Sequence, residues 1–175
     1  MKKTFFSVAI LAILLFCVQK ASAQELQDIK PVAVEINGVI WLKTNVGADN
    51  PEDYGDYFTW KEAQTACPKY FRLPTFAELE MLVNMPSEWL IINGINGRKF
   101  GSGVGSNNFG TIFLPAAGLR NPDDGTLKGA GAYGSYWCIT EGNNGNAYGL
   151  GFHKGGAFVN DGNKEYGCSV RCVAE

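Results

Sequence analysis

The chain has 175 residues, of which 46% are hydrophobic, 13% aromatic and 18% charged, with a net charge of −2. That many aromatics with so little charge argues against a disordered tail or a solvated coiled coil. The lack of a basic excess argues against nucleic acid as a partner, and the length suits one domain.

Residues 1–23 read as a secretory signal peptide. Lys2 and Lys3 precede an apolar run from Phe5 to Val18, and Ala21-Ser22-Ala23 supplies a small-x-small cleavage site before Gln24. The run is too short for a membrane span, which takes about 20 apolar residues. Phe16 is too bulky to precede a lipoprotein cysteine at Cys17. The expected product is residues 24–175, exported to the periplasm or cell surface, with no membrane span. The leader carries three lysines and no acid, so the remainder has 12 basic and 17 acidic side chains, a net charge of −5. A chain of that size buries roughly 70% of its unfolded surface, enough for one core.

The predicted elements begin with a hairpin: Val32–Ile36 and Val39–Leu42 flank Asn37-Gly38, a pair that tolerates the positive φ of a tight turn. Two helices follow, each opened by a capping box. Thr59-x-x-Glu62 starts the first, with Trp60, Ala63 and Cys67 on one face, and Pro68 ends it. Thr75-x-x-Glu78 starts the second, with Phe76, Leu79 and Val83 on one face. In both, the threonine accepts from the amide three residues on while the glutamate returns to the cap amide. Of 22 glycines, 19 lie from Gly94 onward, so the back half is expected to be short strands joined by tight turns. The strand candidates are Trp89–Ile92, Thr111–Leu114, Ser135–Thr140, Ala147–Phe152, Gly156–Asn160 and Cys168–Val173. The fold class is therefore α+β, with antiparallel, turn-rich strands.

Chemistry-bearing residues are sparse. His153 is the sole histidine and sits among glycines, far from the company that a nucleophile or a zinc site needs. Gly101-x-Gly103-x-Gly105 lacks the Gly-Lys-Ser/Thr of a phosphate loop. Carboxylates gather in two turns, Asp49, Glu52, Asp53 and Asp56 in one and Asp123-Asp124 in the other, where Asp mainly serves the local backbone. No cofactor is expected, and calcium is the ion such oxygen-rich loops would suit.

Three stretches resemble the Fibrobacter succinogenes major paralogous domain, a family of exported bacterial domains. They are Tyr57-Phe58-Thr59-Trp60 through Ala66-Cys67-Pro68 to Arg72-Leu73-Pro74-Thr75; Ile95-Asn96-Gly97-Arg98-Lys99-Phe100 with Ile112 through Arg120; and Tyr136-Trp137 with the closing Ser169-Val170-Arg171-Cys172-Val173. The resemblance implies a C-type-lectin-like domain over residues 24–175, distantly similar to formylglycine-generating enzymes. The calcium-binding Glu-Pro-Asn element of sugar-binding C-type lectins is missing, and Asn160-Asp161 and Asn121-Pro122-Asp123 only loosely resemble their motifs. The family usually has a serine and an aromatic where this chain has Cys138 and Cys168, which suggests that these two bond to each other.

Four cysteines in an exported chain allow three pairings into two disulfides. Cys168 and Cys172 on one strand would stand about 13 Å apart, beyond the roughly 7 Å limit for a disulfide. Between the remaining pairings, the resemblance implies Cys67–Cys172 and Cys138–Cys168, since it joins the first helix to the last strand.

The function expected is that of an exported, non-enzymatic module binding a surface glycan or protein. A redox or copper enzyme acting through Cys138 and Cys168, or a purely structural surface protein, are the alternatives. The contact surface is placed on Tyr133–Phe158, with Tyr133, Tyr136, Asn143, Asn144, Asn146, Tyr148, His153 and Lys154 exposed, because tyrosine and asparagine on tight turns suit recognition. Trp137 and Phe152 are assigned to the core. This segment also resembles the variable C-terminal region of lectin-like proteins diversified by retroelements.

Overall fold

A computed structural model describes residues 32–101 and 110–175. The predicted signal peptide and Gly103 and Gly105 lie outside the described residues. Strands β1 (Ala33–Ile36) and β2 (Val39–Leu42) form the predicted hairpin, with Asn37 and Gly38 at φ +49° and +82°. Helix α1 is a single turn, Trp60–Ala63, and α2 runs from Phe76 to Val83. Both capping boxes are closed, from Thr59 to Glu62 and from Thr75 to Glu78. Arg72 strengthens the second by a two-pronged pair with Glu78, 2.8 Å on each prong. Cys67 lies beyond the end of α1 rather than on its face.

Strand β3 (Phe71–Arg72) separates the helices, and β4 (Ser87–Ile92), β5 (Ile95–Phe100) and β6 (Ile112–Pro115) form an antiparallel sheet. A two-stranded ladder joins β7 (Leu119–Arg120) to β8 (Leu127–Lys128). Strands β9 (Tyr133–Glu141), β10 (Asn146–His153) and β11 (Gly156–Asn163) make a third sheet with β10 at its centre. The last strand, β12 (Val173–Ala174), lies between β2 and β3, and the disulfide Cys67–Cys172 fastens it to the segment after α1. Residues Val34–Glu175 form one compact unit.

The third sheet contributes to two hydrophobic clusters. Tyr136, Cys138, Leu150 and Phe152 join Leu79, Leu82, Phe100 and Leu114 in one, while Trp137 and Ala147 join Ala63, Leu73, Cys168 and Val170 in the other. The far half of β9 is drawn toward the helices. Trp60 Nε1 donates to the Cys138 carbonyl, Ile139 N–H to the Pro74 carbonyl, and Phe76 N–H to Thr140 Oγ1. Accordingly β9 bulges: Gly149 faces Trp137, but Ala147 faces Glu141.

Three sequence expectations are corrected. The stretch 168–172 is not a continuous strand, because its backbone bonds in turn to Phe58, Ser135, Val46 and Leu42 on separate segments. Strand β5 was not among the predicted strands; its polar Asn96-Gly97-Arg98-Lys99 hides it. Finally, Cys138 and Cys168 are free thiols. Cys168 stands 3.3 Å from Ser135 Oγ, and Ser135 and Cys138, three residues apart on β9, point to opposite faces. Each thiol is thus held in a different cluster.

Candidate functional site

The β10–β11 connection is a two-residue turn, Lys154-Gly155, which sets His153 opposite Gly156, Gly151 opposite Phe158 and Gly149 opposite Asn160. On the other side, β10 pairs His153 with Tyr133, Gly151 with Ser135 and Gly149 with Trp137. One face of the sheet therefore presents a central strip of glycine between Tyr133 and Ser135 on β9 and Phe158 and Asn160 on β11. The result is an open groove of about 570 Å³, completed by Leu119 and Ala132 along one wall and His153 at one end. That volume falls in the ordinary range for small-ligand sites.

Both aromatic rings rest on glycine. A Cβ on Gly151 would overlap the ring of Phe158, and one on Gly129, which has φ +67°, would overlap that of Tyr133. Phe158 remains 43% exposed despite its size. His153 is its diagonal neighbour, with ring centroids 6.1 Å apart. The imidazole is oriented by its own turn: Gly155 N–H donates to Nδ1 at 2.9 Å, which leaves the proton on Nε2. Arg98, on β5, anchors that turn from beneath. It is buried, and its Nη2 donates to the carbonyls of His153 and Lys154 at 2.9 and 3.1 Å. Behind Ser135, burial pushes the Cys168 thiol up to about 12, with the Ser135 hydrogen bond opposing, so it stays protonated at neutral pH. Burial likewise raises the Tyr133 hydroxyl above its ordinary value, with Cys168 and Tyr166 adding to the effect.

The sequence-predicted contact residues divide into three groups. Tyr133 and His153 meet in the groove, and Lys154 is exposed on the turn beside it. Asn143, Asn144 and Asn146 lie at the opposite end of β10, roughly 20 Å away along the strand. There Asn144 takes φ +53° in the turn and Asn146 donates to Asp161 at 3.1 Å. Tyr136 and Tyr148 face the other way. Tyr136 is only 2% exposed, against the expectation, and its hydroxyl donates to the Pro115 carbonyl while accepting from Asn45. Asn45 in turn accepts from fully buried Arg171, whose pKa burial lowers to about 10. Tyr148 is half-buried and packs edge-on against Phe76 at 4.7 Å. Trp137 and Phe152 are in the core, as predicted. Ser135 and Phe158 lie within the segment the sequence reading assigned but were not among its named contacts, and Leu119, Ala132 and Asn160 lie outside that segment.

The acidic loops are engaged by other side chains and backbone groups of the chain. Asp53 accepts from the Asn50 backbone and side chain, Glu52 from Asn93, and Asp124 from Thr126 N–H and Oγ1. Asp123 N–H donates to Asn121 Oδ1. Among the described residues no group of three or more His, Cys, Asp or Glu side chains is placed to hold a metal ion. Nor is any helix among them long and apolar enough to cross a membrane.

No curated protein and no solved structure matches the chain. A family model does, and it spans almost everything described above: hairpin, capped helices, the Cys67–Cys172 bridge and the grooved sheet. By that match, over residues 18–174, the chain belongs to the Fibrobacter succinogenes major domain family.

Proposed function

We propose that this domain is an exported, non-enzymatic binding module of C-type-lectin-like architecture that holds a surface glycan or protein ligand in the groove over β10. The carrying observation is exposed Phe158, its ring over Gly151, with half-buried Tyr133 on the far strand of the same sheet face and an oriented imidazole beside them. Rigid aromatics with a few polar groups, set on paired strands rather than on free loops, are what recognition without chemistry requires. Export is supported by the leader-like first 23 residues and by the long-range disulfide, which an oxidising compartment favours. Redox chemistry through Cys138 and Cys168 would need both thiols at one site, whereas they occupy separate clusters.

The test is a glycan and host-protein array probed with the purified protein and with Phe158→Ala. A specific binder whose signal falls in the variant is the expected result. An array with no binder, or one whose binder ignores Phe158→Ala, would overturn the proposal.

A further inference from the structure

The chemistry of the groove narrows the ligand beyond a glycan or protein. This step rests on the groove being the binding site. Its ten lining residues include no Asp, Glu, Lys or Arg. The Nδ1 of His153 is taken up by the Gly155 N–H, which leaves Nε2 for a ligand. The lining itself therefore carries no carboxylate, ammonium or guanidinium to pair with a charged ligand, Lys154 lying outside it on the adjoining turn.

What the groove does offer is ring-shaped. Phe158 exposes an aromatic surface, and the strands carrying Phe158 and Tyr133 stand about 10 Å apart across the glycine strip. The negative face of an aromatic ring attracts polarised C–H groups, which one face of a pyranose ring displays. Around it stand the Nε2–H of His153, the Ser135 hydroxyl and the Asn160 amide. Asn160 makes no side-chain hydrogen bond among the described residues, so both its donor and acceptor are open to a ligand's hydroxyls.

A peptide strand fits less well. Extended peptides bind by adding to an unpaired strand edge, here the outer edge of β11, and not to the sheet face over β10, which is paired on both sides. We infer that the groove takes an uncharged pyranose unit of a glycan, its C–H face against Phe158 and its hydroxyls on His153, Ser135 and Asn160.

The experiment is an NMR titration of the purified protein with the methyl glycosides of glucose, galactose, mannose and N-acetylglucosamine, with glucuronate as the charged control. Single sugar rings bind weakly, so the titration runs to about 100 mM. At least one neutral glycoside should give saturable shifts at the Phe158 ring and His153 Cε1–H. Phe158→Ala should weaken it about tenfold, while Phe158→Tyr, which keeps the ring, stays within about threefold. Saturable shifts from glucuronate alone would overturn the inference. So would glycosides that leave these resonances still while a protein from the array moves them, and in that case the groove remains the binding site. If neither the glycosides nor any array ligand moves them, the groove reading falls as well.

Discussion

Phe158 on β11 lies across Gly151, its partner on β10, in space that any side chain at position 151 would claim. The groove exists because that position is glycine. Gly151→Ala should lift the ring, and because Phe158 is exposed and free to swing outward the cost should be about 1 kcal/mol or less. Denaturant unfolding measures the cost, and a shift of the Phe158 ring resonances reports the displacement. A variant as stable as the parent with unmoved resonances would contradict the packing described.

The Cys67–Cys172 disulfide closes a loop with a sequence separation of 105. In the chain-entropy picture its removal costs about 4–5 kcal/mol, so Cys67→Ala/Cys172→Ala should unfold at much lower denaturant. Unreduced peptide mapping should join Cys67 to Cys172 and find Cys138 and Cys168 unlinked. Both thiols should resist alkylation at pH 8 until the protein unfolds, since burial disfavours the reactive thiolate.

Glu78 closes a capping box and pairs with Arg72. Burial raises its pKa, but Arg72 and the Thr75 backbone and hydroxyl outweigh that, so the folded value lies below the ordinary 4.5. A folded carboxylate with a depressed pKa adds stability above the unfolded pKa and loses it as pH falls through the folded one. Glu78→Gln should therefore cost about 1–2 kcal/mol at pH 7, and the gap to the parent should close on titration from pH 5 downward. A gap constant with pH would show that the charge is not the cause.

Tyr136 separates packing from recognition. Its hydroxyl is buried between Asn45 and the Pro115 carbonyl. Tyr136→Phe leaves both without that partner and should cost about 1–2 kcal/mol in unfolding free energy. Affinity for any ligand the array identifies should not change. Lost affinity at full stability would return Tyr136 to the contact surface.

Local signals in the sequence carried the front half of the fold. Asn37-Gly38 and the two Thr-x-x-Glu boxes act within a few residues, so they read true without tertiary context. The rest depended on pairing. The sequence reading assigned Trp137 to the core and Tyr136 to the surface, yet Tyr136 is buried too, because this sheet has a cluster on each side. Strand parity separates Cys138 from the Ser135 face on which Cys168 sits, an argument available from the strand alone once Cys168 is placed. Phe158 and Asn160 were within reach. Taking Lys154-Gly155 as a two-residue turn puts 151 opposite 158 and 149 opposite 160, a register that counting outward from the turn gives directly. Asn143 and Asn144 looked like their equals by composition, but lie at the other end of the same strand.

That separation supplies the decisive measurement. The affinity of an array-identified ligand should be determined by calorimetry for the parent, for Tyr133→Ala/Phe158→Ala at the groove and for Asn143→Ala/Asn144→Ala at the far turn. If the groove is the site, the first pair loses about tenfold or more and the second binds as the parent does. A loss confined to the Asn143/Asn144 pair would contradict the account.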